Sequence, residues 1–184
     1  MDERFRLCMV EVMRRRAPLL GIAFQQRAKF EQWLKFELAE EMRNRGATRL
    51  EIEPSSPRAG TRADIGFVFE GVHYVVELKT PNTNWRIPGV LNRTRPITKN
   101  VSEIIADAQK PPHGDAVRIV AFAMFPVPPA DDRWLVYLER IAHSVGITLS
   151  ETANSTRIDV RLPNGGVAQV VAVTFIAPCS KATT

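Results

Sequence analysis

The chain has 184 residues, 45% hydrophobic and 24% charged, the profile of a single soluble globular domain (1–184) able to bury a core without disulfide or metal support. Cys8 and Cys179 lie near opposite ends with no CxxC spacing, which excludes a disulfide scaffold or zinc ribbon and points to packing residues in a reducing, cytoplasmic compartment. No apolar stretch approaches the roughly 18 residues of a membrane span, the opening MDERFRLCMVEVMRRR lacks a signal-peptide core, and the formal charge of +5 rests on 19 Arg against 6 Lys, which favours a phosphate-bearing partner.

Residues 3–16 place Phe5, Cys8, Met9, Val12 and Met13 at helical spacing and end in Arg14, Arg15 and Arg16, cations suited to the negative end of a helix. A second helix is expected over 24–45, with Ala28, Leu34, Leu38 and Met42 on one face and Gly46 as its stop. Residues 48–53 alternate as a strand before the Pro54–Pro57 breaker. The clearest hairpin follows, 63–69 and 72–79 around a Glu70-Gly71 turn. After the proline-bearing linker 80–98, helical spacing returns over 100–110. Residues 117–125 read as a buried central strand, 131–145 as a helix stopped by Gly146, and 147–151, 156–162 and 167–177 as strands, the last two joined at Asn164-Gly165. This order implies an α/β fold: a mixed β-sheet flanked by helices, with an additional C-terminal β-hairpin.

Charge is oddly spent on the second hairpin arm. Residues two apart share a strand face, so Glu77 and Lys79 lie with Val75 while Tyr74, Val76 and Leu78 face the other way. Both faces are partly apolar, so the strand is expected to be internal, where Glu and Lys are costly unless paired or metal-bound. Asp64, on the partner arm thirteen positions before Glu77, supplies a second carboxylate. Two such groups can hold a hard divalent cation with phosphate oxygens in its remaining positions, and a lysine beside them can act on the attacking water or offset charge on phosphorus. The alternative is an exposed Glu-x-Lys cross-strand pair with no chemistry.

Asp64, the Glu77-Leu78-Lys79 triplet and an upstream helix carrying Glu31 together resemble the PD-(D/E)xK, restriction-endonuclease-like, nuclease superfamily over residues 24–125. The resemblance implies a core of a helix, a three-stranded meander, a helix and a further strand. It also implies Asp64 and Glu77 as metal ligands, Lys79 as the water-activating or charge-stabilising residue, and Glu31 as the helix carboxylate at the metal. Magnesium is the implied cofactor, with manganese as a substitute. Ala63 stands where the motif's name has proline, a position that varies in the superfamily. Glu31 is preferred to Glu37 because it shares the face of Leu34 and Leu38, which should meet the sheet.

The linker adds a second feature. From Leu78 to Ser102 there is no acidic residue, whereas Lys79, Arg86, Arg93, Arg95 and Lys99 bring cations among Trp85 and several asparagines. Such a segment fits phosphate contacts by Arg86, Arg93, Arg95 and Lys99, and base stacking by Trp85. His73, His113 and His143 are isolated, and HExxH, GxxxxGK and GxSxG motifs are absent. Gln109 reads as a helix-surface residue. The expected function is a magnesium-dependent nuclease hydrolysing phosphodiester bonds of DNA, RNA not excluded, with no membrane partner and a homodimer left open. The rival is a non-catalytic nucleic-acid-binding or interaction subunit of the same fold.

Overall fold

Three helices precede the sheet in the computed structural model, which describes residues 1–55, 62–92 and 97–178. They are α1 (Asp2–Arg15), α2 (Ala17–Gln26) and α3 (Glu31–Asn44). Strands β1 (Thr48–Ile52), β2 (Ile65–Phe69) and β3 (Val72–Lys79) form an antiparallel meander. Helix α4 (Ile97–Ala108) then carries the chain to β4 (Val117–Val127), which pairs with β3 in parallel. A helix α5 (Arg133–Val145), a single turn α6 (Glu151–Asn154) and the hairpin β5 (Ser155–Arg161) and β6 (Val167–Ile176) complete a six-stranded sheet of order β1-β2-β3-β4-β6-β5.

The period of two along the strands builds two cores. Ile65, Phe67, Val76, Leu78, Ile119, Ala121 and Phe125 pack under α1, α2 and α3. Val120, Phe122, Met124, Val171 and Val173 face α4 and α5 on the other side. β3 is therefore internal, as its two half-apolar faces require, and Glu77 and Lys79 point toward the α4 side. Cys8 is buried in the first core, and Cys179 lies outside the described residues. Among the described residues no helix is long and apolar enough to cross a membrane.

Three expectations are corrected. The single helix over 24–45 is two helices, and α2 begins well before Phe24, with proline in its first turn. Arg27 takes the left-handed conformation (φ 49°) and ends α2. Its guanidinium turns inward and donates to the carbonyl oxygens of Leu91 (2.6 Å), Trp85 (2.5 Å) and Thr83. Phe30 then restarts the helix from among Phe24, Trp33 and Phe125. Residues 147–151 form no strand, because Ile147 and Leu149 alternate inward to pack on the α4–α5 core rather than to pair, and Ser150 caps α6. The helix expected over 100–110 starts earlier, at Ile97, and ends at Ala108. Gly21 lets α2 lie close on β5, since a Cβ there would come within 2.5 Å of the Arg161 carbonyl oxygen.

Arg27 thus ties the first half of the linker to the helical layer. Removing a buried charge that satisfies several carbonyls leaves those acceptors dry, which costs about 3 kcal/mol or more. Arg27→Ala should lower the unfolding free energy in urea by that amount. Arg27→Lys should recover only a minor part, because one ammonium cannot span the fork; full recovery by lysine would contradict this account.

Candidate active site

β3 carries the site because parallel pairing with β4 buries it. Glu77 sits opposite Val120 and Lys79 opposite Phe122, and the Glu77 side chain is 3% exposed. Just beyond the Ile65–Val76 pair, the Asp64 N–H donates to the Val76 carbonyl oxygen at 2.8 Å. The Asp64 carboxylate folds back to accept from the Leu78 N–H, also at 2.8 Å. The hairpin thus brings Asp64 to the same end of β3 as Glu77 and Lys79. Glu31, in the first turn of α3, reaches over the sheet: its Oε2 accepts from the Thr80 N–H at 3.1 Å and its Oε1 is 4.0 Å from Lys79 Nζ. Glu37 is directed elsewhere, to Arg15 and Arg16. The four residues singled out from sequence, Glu31, Asp64, Glu77 and Lys79, are therefore gathered in one place.

Four further charged groups stand among them. Lys35, one helical turn after Glu31 and 2% exposed, lies 2.7 Å from Glu53 Oε1 and 3.8 Å from Asp64 Oδ1. Asp107, in the last turn of α4, lies 3.0 Å from Lys79 Nζ through Oδ2 and 2.7 Å from Lys110 Nζ through Oδ1. Lys110 in turn donates to Glu77 Oε2 at 2.7 Å, and Arg118 Nε is 4.0 Å from the other Glu77 oxygen. A sequence signal existed for two of them. Asp107 interrupts the apolar stripe Ile97, Val101, Ile104, Ala108, and Lys35 adjoins the buried Leu34 on the sheet-facing side of α3.

Burial governs the electrostatics. It pushes the Glu77 carboxyl up to about 7, against the opposing pull of Lys110. It likewise raises Glu31, although Lys79 and the Thr80 N–H oppose it. For Lys79 burial acts downward, but the Asp107 and Glu31 carboxylates outweigh it and hold the ammonium above the ordinary lysine value. Lys79 is therefore a permanent cation near neutral pH, suited to stabilising charge and not to removing a proton.

Among the described residues, no three His, Cys, Asp or Glu side chains gather tightly enough to hold a metal ion between them. The donor chemistry nevertheless suits a hard cation. Glu31, Asp64, Glu77 and Asp107 offer only carboxylate oxygens, and burial holds the Glu77 carboxyl up at about 7 even with Lys110 beside it. Asp64, Glu77 and Glu31 are the residues that could hold such an ion, and their carboxylates would have to draw closer together to do so.

The linker residues divide. Trp85 is 6% exposed, tilted against Tyr137 with the Arg133 guanidinium 4.6 Å from its ring centre. It is a core residue as placed, and the base-stacking expectation does not fit that position. The segment runs alongside β4, with Thr83, Trp85 and Ile87 turned inward and Arg86 outward. Arg86 and Lys99 are exposed; Arg93 and Arg95 lie outside the described residues. His73 meets only His113, edge-on, and Gln109 donates to the Ser144 carbonyl oxygen. Set beside known proteins, the chain matches no family model, no curated protein and no solved structure, so the site is read from its own geometry.

The raised Glu77 value has a signed consequence. In metal-free buffer the folded protein holds a proton between about pH 4.5 and 7 that the unfolded chain releases, so stability is fullest below that window and declines as pH rises through it. The wild type should lose up to about 3 kcal/mol across this range relative to Glu77→Gln, measured by urea unfolding. Parallel pH profiles for the two proteins would show that Glu77 is not a buried, reluctant carboxylate.

Proposed function

We propose that the chain is a divalent-metal-dependent phosphodiesterase acting on nucleic acid, with Asp64, Glu77 and Glu31 as the metal-binding carboxylates. One observation carries the reading: carboxylates from a helix, a strand entry and an internal strand, Glu31, Asp64 and Glu77, come to one end of β3, where the Lys79 ammonium lies beside Glu31 and Asp107. A surface ion pair gains nothing from a carboxylate buried on an internal strand, whereas a hard-metal site can use one. The chain order supports the same reading. Helix α3, the meander β1-β2-β3, helix α4 and the parallel strand β4 follow the arrangement expected of a restriction-endonuclease-like core.

A bound magnesium or manganese ion would supply charge neutralisation and an acidified water at the phosphate. The protein's own groups do the rest. Lys79, kept protonated by Asp107 and Glu31, faces the developing negative charge on the phosphoryl oxygens. The Thr80 N–H fixes the orientation of Glu31, and the Leu78 N–H fixes Asp64. Exposed Arg86 and Lys99 are placed for phosphate contacts, an electrostatic and sequence-independent contribution to binding. A nucleic-acid substrate fits the excess of arginine over lysine better than a small phosphate ester, which has no use for cations spread along a linker.

The rival, a binding module that does not cleave, is favoured by one feature: Lys35 and Lys110 already stand against the carboxylates. Cleavage of single-stranded and duplex DNA and of RNA, with magnesium or manganese, separates the two. The wild type should cut at least one substrate, and Asp64→Asn, Glu77→Gln and Lys79→Met should each reduce the rate about a hundredfold or more, with unchanged circular dichroism. Binding without cutting, unaffected by these variants, would establish the rival.

A further inference from the structure

The position of Lys110 is not explained by a site that only binds metal. Its ammonium is 2.7 Å from Glu77 Oε2, the most deeply buried of the carboxylates assigned to the metal. A positive charge there competes with a divalent cation for the same lone pairs. We propose that Lys110 is a displaceable internal counter-ion: it neutralises Glu77 when no divalent cation is bound and swings aside when one binds. The proposal rests on the metal-site reading above and adds to it a built-in competitor that sets metal affinity.

Three observations make the exchange feasible. Lys110 follows the end of α4, so its movement disturbs no helical hydrogen bond. Asp107 Oδ1 lies 2.7 Å from the same ammonium, so on leaving Glu77 the charge keeps a carboxylate partner one helical turn away and is not stranded. Lys110 also lines a largely apolar cavity of about 220 Å3 that has His113, Asp115 and Arg118 among its walls, which gives the aliphatic stem room to turn while the ammonium stays with Asp107. By contrast Lys35, 2% exposed, is held 2.7 Å from Glu53 and stands 3.8 Å from Asp64.

The test is manganese binding by calorimetry to the full-length wild type, Lys110→Gln and Lys110→Arg at about pH 8, where Glu77 is ionised. Loss of one partly buried, charge-assisted competitor should tighten binding about tenfold in Lys110→Gln, with one ion bound, while Lys110→Arg binds no tighter than wild type. A second measurement uses the wild type alone: the Lys110 side-chain Cε resonance should shift as magnesium saturates the protein. Equal or weaker binding by Lys110→Gln, or an unmoved Lys110 resonance in magnesium-saturated protein, overturns the inference while leaving the metal site standing. No binding by either wild type or Lys110→Gln overturns both.

Discussion

A carboxylate on an internal strand is the constraint from which the rest of this site follows. Glu77 lies between β2 and β4 with almost no exposure, and a lone ionised group there would cost several kcal/mol. The chain answers with Lys110 from beyond α4, and Lys110 in turn is held by Asp107, which also holds Lys79. A hydrophobic residue at 77 would stabilise the fold more simply. A charge buried here, with Asp64 and Glu31 at the same end of the strand, is what the proposed metal site draws on.

The fold serves this constraint through the parallel pairing of β3 with β4. Because β4 runs parallel to β3, the connection between them must cross one face of the sheet, and α4 makes that crossing. The crossing delivers Asp107 and Lys110 above Glu77 and Lys79. On the opposite face, α3 packs through Leu34 and Leu38 and brings Glu31 and Lys35 to the hairpin from the other side. Residues remote in sequence therefore meet on elements anchored in two separate cores.

Local patterns were legible in the sequence and tertiary pairing was not. The hairpin, the shared face of Glu77 and Lys79, the internal character of their strand and the choice of Glu31 over Glu37 all follow from periods of two and 3.6, which sterics impose on any chain. Lys110 escaped because nothing local distinguishes a lysine that ends in a buried ion pair from one in water, whereas Asp107 and Lys35 left only the faint signal of a charge beside an apolar stripe. The break at Arg27 was hidden for a similar reason: its left-handed backbone is sustained by carbonyls more than fifty residues away. Trp85 misled in the opposite sense, since an aromatic in a basic linker reads as a ligand contact until Tyr137 and Arg133 are seen to enclose it. Residues 147–151 alternate for packing and not for pairing, a distinction that periodicity cannot draw.

The central claim, that this end of β3 is a metal site, is tested most directly by a crystal of the protein soaked in manganese and measured at a wavelength where the ion scatters anomalously. The account predicts one peak within about 2.5 Å of oxygens from both Asp64 and Glu77. A structure at saturating manganese with no peak there, and with Lys110 still against Glu77, would contradict it.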